Sequence, residues 1–213
     1  MFFALKKKLY KSPFREKLYR LRLKARLRNK DFTIICNNCW AGSVYEDIGL
    51  PYNTPTVGLF FYAPCYIKFL ENIKQYLETP LTFREISFYS LANKRRKKKK
   101  YPIGVLDDIE IHFLHYESNE EALEKWNRRK KRINFNNLYV SFSDVDLCTE
   151  KEMKEFDKMN FQHKVFFSAK YYPGIYSLVW LKSYDGCDHV GDLVNNRWLY
   201  RKYFDVVKWL NKQ

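Results

Sequence analysis

Residues 33–43, TIICNNCWAGS, carry the pattern on which the fold prediction rests. The apolar, β-branched start TIIC predicts a short buried strand, which stops at two asparagines, a cysteine and a tryptophan. Ser43 and Glu46 match a capping box, so we expect a helix to begin there and to end at Gly49, before Pro51. A buried strand that passes through a polar loop into a helix is the repeating unit of parallel α/β sheets.

The same alternation continues along the rest of the chain. LYVSF, residues 138–142, has no polar alternation and is therefore predicted to be a central strand. Further strands are predicted at residues 56–61, 83–89, 103–106, 109–116, 164–168 and 177–181, with helices at residues 64–77, after Ser118, after Thr149 and at residues 197–210. We expect an α/β fold with a mostly parallel, Rossmann-like sheet and helices on both faces, formed as one domain by residues 31–213.

The positive charge of the chain is concentrated in two segments. The net charge is +15, of which residues 1–30 carry +11 and residues 94–100, KRRKKKK, carry +7, so the remaining residues sum to −3. We therefore do not expect a nucleic-acid partner, because nucleic-acid enzymes usually spread positive charge over their binding face and the body of this chain is near neutral. Residues 94–100 are predicted to be an exposed loop outside any ligand crevice, since adjacent like charges repel one another.

The N-terminal segment, residues 1–30, is predicted to contain a basic amphipathic helix. Ser12 and Pro13 form a helix-start signature, and an apolar stripe then follows at helical spacing among arginines and lysines. The stripe consists of Phe14, Leu18, Leu21 and Ala25. Such a helix binds an anionic membrane surface or an acidic partner, or else packs its apolar face on its own domain.

The sequence also gives an expectation for location. No apolar run approaches the roughly 18 residues of a membrane span, and MFFALKKK places apolar residues before charges, the reverse of a secretory signal. We therefore expect a cytoplasmic protein at the inner face of the cell membrane.

Four residues around the first loop are candidate ligand contacts. Asn37 and Asn38 can donate and accept hydrogen bonds, Trp40 offers a flat face to a base or sugar, and Ser43 lies at the predicted helix start, where backbone N–H groups favour phosphate. The alternative is a tight turn in which the asparagines bond their own backbone and Trp40 fills the core.

Asp144 and Asp146 are candidate metal ligands. Two carboxylates two residues apart at a strand end can share one Mg²⁺ or Mn²⁺, which can also hold a diphosphate. Neither is needed as a helix cap, because Thr149 and Glu152 form a capping box for the next helix. The alternative is a solvated loop.

His115, Asp107 and Asp108 are candidate catalytic residues. His112 and His115 lie three residues apart on one predicted strand and therefore face opposite sides, so one of them could reach a site. Asp107 and Asp108, at the start of that strand, could supply a general base. A later polar loop around His189 and Asp192 could close over a site, although each histidine is more often structural than catalytic.

Three stretches resemble one bacterial domain family of unknown function, whose members are often labelled exopolysaccharide biosynthesis proteins. They are NNCWAGSVYEDIGLPYNTPTVGLFF (residues 37–61), YPIGVLDDIEIHFLHYESNEEALEKWNRRKKRIN (residues 101–134) and SDVDLCTEKEMKEFDKM (residues 143–159). In the family the last stretch typically runs DRDGCT, whereas this chain has DVDLCT and lacks the arginine and the glycine. The resemblance implies surface-glycan or capsule assembly at the cytoplasmic membrane.

Residues and resemblance together predict a transferase of surface-polysaccharide synthesis. The first hypothesis is a peripheral-membrane glycosyltransferase that uses a nucleotide sugar or another activated donor and a lipid-linked acceptor. A second is acyl transfer to a glycan through Cys39 or His115. A third is a non-enzymatic nucleic-acid-binding protein that uses the two basic segments, which the near-neutral body disfavours.

Overall fold

The computed structural model describes residues 12–212. Two short 3₁₀ turns, Phe135–Asn137 and Lys182–Tyr184, accompany the helices and strands. In chain order the helices and strands are α1 (Pro13–Arg26), β1 (Thr33–Cys36), α2 (Trp40–Ile48), α3 (Ala63–Glu71), α4 (Ile73–Glu78), β2 (Thr82–Arg84), α5 (Ser90–Arg96), β3 (Ile103–Leu106), β4 (Ile109–His112), α6 (Asn119–Lys130), β5 (Leu138–Ser143), α7 (Glu150–Lys158), β6 (His163–Ser168), β7 (Leu178–Trp180), α8 (Arg197–Tyr200) and α9 (Val206–Leu210).

A four-stranded parallel sheet organises the fold, in the order β1-β5-β6-β7. Each central strand buries both faces, which explains the continuous apolar run of LYVSF. In β1, Ile34 points into a first core with Trp40 and Leu210, while Ile35 points into a second core with Trp126 and Phe156. The α/β class, with a parallel sheet and helices on both faces, is confirmed.

A second, antiparallel sheet covers part of the second core, in the order β2-β3-β4. The predicted strand at residues 56–61 is wrong, because only Phe60 pairs there, with His112, and Gly58 has a left-handed φ of 74°. The predicted strand at residues 83–89 shortens to β2. The apolar residues of the 56–61 stretch pack as a loop, because no neighbouring strand pairs with them beyond Phe60.

Several helix boundaries differ from the prediction. α2 begins at Trp40, so Ser43 does not cap it, and its hydroxyl instead donates to the carbonyl of Trp40 at 2.8 Å. The helix at residues 64–77 breaks at Asn72, and residues 197–210 form two short helices. The capping box at Thr149 and the left-handed Gly49 after α2 are confirmed.

α1 packs on the domain through the face opposite its predicted apolar stripe. Leu23 is buried in the first core, Arg20 pairs with the buried Asp47, and Glu16 pairs with Arg201. The stripe itself is exposed, with Phe14 at 74% of its full accessible surface. Of the predicted segment 1–30, residues 1–11 lie outside the described part of the chain.

Within residues 12–212, no helix is both long enough and apolar enough to cross a membrane.

Candidate functional site

The loops that follow β1 and β5 diverge at the carboxyl edge of the parallel sheet. β1 and β5 are neighbours, yet α2 packs in the first core and α7 in the second, so the two loops leave the sheet toward opposite faces. Ligands of open α/β sheets bind where the chain diverges in this way. We call this place, between residues 37–39 and residues 144–147, the β1–β5 crevice.

Asn37 and Asn38 join the ends of the two strands. The amide of Asn38 donates to the hydroxyl of Ser143 at 2.8 Å, and that hydroxyl donates to the Asn37 side-chain oxygen at 3.2 Å. Asn38 also accepts from the backbone N–H of Trp40 at 3.0 Å. The buried Asn37 therefore braces the loop, and the half-buried Asn38 is the asparagine that faces the crevice.

The side chains of Trp40 and Ser43 are buried and therefore not accessible to a ligand in this structure. Trp40 is only 1% exposed, and its ring packs edge-on against Phe167 and Tyr200 at centroid distances of 5.1 and 5.8 Å. Ser43 is buried and bonded within α2. The core alternative predicted for Trp40 describes its position, because burying an indole among aromatic rings removes a large apolar area from water.

Asp144 is a structural clamp. One carboxylate oxygen accepts from the Val190 N–H at 2.7 Å, and the other accepts from the Ser168 hydroxyl and the Ala169 N–H at 2.7 and 2.8 Å. Burial raises the pKa of Asp144, and these donors oppose the shift. The carboxylate ties β5 to the end of β6 and, through Val190, to the loop around His189.

Asp146 faces the β1–β5 crevice and forms an ion pair there with Arg95. Its carboxylate accepts from the Arg95 guanidinium at 2.8 Å, and its backbone carbonyl accepts from the first N–H of α3, that of Ala63. Burial raises the pKa of Asp146, and Arg95 opposes the shift. The φ of Asp146 is 53° and that of Leu147 is 68°, so two successive non-glycine residues are left-handed.

The loop prediction for the basic run is wrong at residues 94–96, which belong to a helix, whereas residues 97–100 are exposed and non-helical as predicted. The first residues of the run end the helix α5, where Arg95 reaches Asp146 and Arg96 donates to the Tyr101 carbonyl at 3.1 Å. The signal was present, because SLANKRR is made largely of good helix formers. The run of like charges, however, is typical of an exposed loop, and the prediction followed the charge.

His115 lies near the same edge. It is an exposed residue whose backbone N–H donates to the Gly58 carbonyl at 3.0 Å. Lys99 and Asp192 are close enough to interact electrostatically with its imidazole. Partial burial, together with Lys99, lowers the pKa of His115, while Asp192 opposes the shift. The imidazole is therefore neutral at pH 7 and able to accept a proton.

Asp107 and Asp108 lie elsewhere. They form the turn between β3 and β4, whereas His115 follows the far end of β4, so at least four strand residues, about 13 Å, separate them. Asp108 is paired with Lys68 at 2.5 Å and bonded by the Tyr76 hydroxyl at 2.6 Å. Both contacts lower the pKa of Asp108, which makes it a weak base.

The carboxylates of the DVD stretch do not fit a shared divalent cation. Both oxygens of Asp144 already accept hydrogen bonds from protein donors, and Asp146 is paired with Arg95. Among residues 12–212, no group of three or more His, Cys, Asp or Glu side chains is placed to hold a metal ion. A cation there would need further oxygen ligands, which this arrangement does not supply.

A buried aromatic box lies close to Arg95. His112 stacks on Phe60 at 4.7 Å and packs edge-on against Tyr62 at 5.0 Å. Within the described chain, both ring nitrogens of His112 and the hydroxyls of Tyr62 and Tyr101 have no hydrogen-bond partner. Burial, with help from Arg95 and Arg96, lowers the pKa of His112 to about 3. Glu110 lies 3.5 Å from this ring, but Ser87 and the Phe88 N–H already bind its oxygens, so we take His112 as neutral.

Two comparisons with known proteins place the chain in a family. A protein of Haemophilus influenzae with the name "Uncharacterized protein" is 37% identical over 193 residues, which span 89% of this chain and 88% of the relative. Residues 10–211 match the family model described as "Domain of unknown function (DUF1919)", so the match includes α1 as well as the α/β domain. The predicted resemblance to a domain family of unknown function is thus confirmed, and its exopolysaccharide context stays a prediction. The chain belongs to the DUF1919 family.

Proposed function

We propose that the protein is a glycosyltransferase of surface-polysaccharide assembly that binds a nucleotide sugar in the β1–β5 crevice. The ion pair between Arg95 and Asp146 supports this most, because it holds the cationic helix α5 at the edge where such folds bind ligands. Guanidinium groups match phosphate geometry. In this proposal cations of the chain, rather than Mg²⁺ or Mn²⁺, neutralise the diphosphate.

The residues at the crevice can be assigned roles in transfer. The acceptor hydroxyl oxygen attacks the anomeric carbon of the donor, the bond from that carbon to the phosphate oxygen breaks, and the nucleoside diphosphate leaves with the electron pair. His115 takes the hydroxyl proton, a role for which its lowered pKa keeps it neutral at pH 7. Arg95 and Lys99 stabilise the charge on the leaving diphosphate, and Asn38 is placed to hydrogen-bond the donor.

Acyl transfer through Cys39 is a weaker hypothesis. Burial raises the pKa of the Cys39 thiol to about 12, with the nearby Cys36 as a further cause. The thiolate is the reactive form of cysteine, and at pH 7 almost none of it is present. His115 remains available to either chemistry.

Donor binding is the first test. UDP-, GDP-, CMP- and dTDP-sugars are screened by thermal shift, each with EDTA, Mg²⁺ or Mn²⁺, because a ligand that binds only the folded state raises its melting temperature. We expect one donor to raise it equally well in EDTA. Arg95→Gln should abolish the shift, while the control Arg128→Gln, which removes another exposed, ion-paired arginine on α6, should retain it.

Turnover separates binding from catalysis. With the responsive donor, His115→Gln should keep the thermal shift and lose the slow hydrolysis of the donor, in which water replaces the acceptor and the sugar and the free nucleotide are released. If no donor shifts the wild type, the protein is not a nucleotide-sugar enzyme. If the shift needs Mn²⁺ or Mg²⁺ and survives Arg95→Gln, the metal-ligand hypothesis for Asp144 and Asp146 replaces the cationic one.

A further inference from the structure

The outward face of α1 is apolar although the helix already packs on the domain through its other side. Leu23 and the ion pairs of Glu16 and Arg20 hold α1 against the domain. At about 100° per residue, Phe14, Leu18 and Leu21 lie on the opposite side of the helix. They are exposed by 74%, 38% and 56% of their full surface. The stripe therefore faces away from the contacts that hold α1 on the domain.

Cations border this apolar stripe. Arg15 and Arg22, seven residues apart, lie along one side of it, and Lys17 lies along the other. All three are exposed, and Arg15 and Arg22 have no acidic partner among the described residues. Arg15 and Arg22 also line a groove of about 440 Å³ beside α8, whose other walls include Tyr19 and Trp198.

We propose that this outward face of α1 docks the protein on an anionic phospholipid surface, with Phe14, Leu18 and Leu21 entering the interface and Arg15 and Arg22 binding lipid phosphates. An apolar stripe between rows of arginine and lysine is the arrangement of helices that lie in the membrane interface. Residues 1–11, which precede this face, add four lysines and the apolar residues of MFFAL. Charge complementarity and apolar area thus favour the same partner.

The test measures retention of the full chain on phosphatidylcholine vesicles with and without phosphatidylglycerol. Wild type should bind only the anionic vesicles, and high salt should release it. Arg15→Gln with Arg22→Gln should weaken binding about 30-fold, since each basic residue near such a surface contributes about 1 kcal/mol. Phe14→Ser with Leu21→Ser should weaken it by at least roughly tenfold.

Matched controls come from elsewhere on the chain. Lys151→Gln with Lys158→Gln removes two exposed cations at the same seven-residue spacing on α7, which packs on the other core, and binding should not change. Ile86→Ser with Tyr176→Ser removes two exposed apolar side chains with the same expectation. Because all these positions are exposed, the variants should melt like wild type.

Two outcomes would overturn the proposal. One is equal vesicle binding by wild type and both α1 double variants. The other is loss of single-stranded RNA binding in the arginine variant while vesicle binding is unchanged, which would make the face a nucleic-acid surface. Neither result depends on donor binding in the β1–β5 crevice, which is measured without lipid.

Discussion

Leu147 occupies a backbone conformation that suits glycine. Its φ of 68° places a branched side chain in the left-handed region, directly after Asp146 at 53°. Such a conformation costs a non-glycine residue about 1–2 kcal/mol. The DRDGCT pattern that the resemblance implied for this stretch would put glycine at this position, and the φ of Leu147 is one that glycine adopts without strain.

Replacing Leu147 by glycine should therefore stabilise the protein. Because the leucine side chain is 46% exposed, little packing is lost, and Leu147→Gly should raise the free energy of unfolding by about 1 kcal/mol. Leu123→Gly, at a similarly exposed position inside α6, should lower it by about the same amount. Urea midpoints measure both, and a destabilised Leu147→Gly would show that its side chain, not its backbone, dominates.

The two carboxylates of the DVD stretch should respond differently to the same substitution. In Asp144→Asn an amide NH₂ must face a backbone or hydroxyl donor, so we expect a loss of roughly 1–3 kcal/mol in unfolding free energy. Asp146→Asn should cost less than about 1 kcal/mol, because asparagine tolerates a left-handed φ and its partner Arg95 is half exposed. Equal midpoints for the two variants would contradict the clamp assigned to Asp144.

At the residue scale, the sequence predicted where candidate site residues lie but not what each of them does. Strand ends predicted that Asn38 and Asp146 would lie at the carboxyl edge, and both do. Whether Asp144 is free depends on Ser168 and Val190, which are distant in sequence and were not assigned to it. Arg95 was missed because its contact with Asp146 is also tertiary.

Elements with local signals were predicted, and elements that depend on distant partners were not. Ser12-Pro13 and the Thr149 capping box act within one turn, and α1 and α7 begin there. TVGLFF has the composition of a strand, yet a strand also needs a neighbour, and only Phe60 finds one. The outward stripe of α1 was likewise predicted as a pattern, but not the face that packs.

Asp47 joins α1, α2 and α8 through one buried carboxylate. Arg20, Arg197 and Arg201 reach it at 3.1, 2.7 and 2.8 Å, and the Asp47 side chain is almost fully buried. Asp47→Ala would leave these guanidiniums without their shared partner, so we expect a loss of about 3–5 kcal/mol in unfolding free energy. Asp185→Ala, in an exposed loop, is the control. A loss below about 1 kcal/mol would mean that the other contacts of α1, those of Leu23 and Glu16, suffice to hold the helix.

At the scale of the whole molecule, one buried histidine makes the stability of the fold depend on pH. The second core adjoins the aromatic box around His112, whose imidazole is buried without a hydrogen-bond partner among the described residues. Protonation of that ring would place a charge beside Arg95 and Arg96. The sequence placed His112 on a strand but could not reveal this burial, since Phe60, Tyr62 and Tyr101 reach it from separate segments.

Acid should therefore unfold the protein partly through His112. Its pKa is about 3 in the folded state and about 6.5 in the unfolded chain, so the unfolded chain binds the proton first as pH falls. The stability is fully present above about pH 6.5 and is lost as pH falls toward 3, by on the order of 2 kcal/mol at pH 5. His112→Phe fits an aromatic site and should remove that part of the loss between pH 7 and pH 5. Urea unfolding at both values measures it, with the exposed His189→Gln as control. An unchanged pH dependence in His112→Phe would show that His112 has a proton-accepting partner in the folded protein.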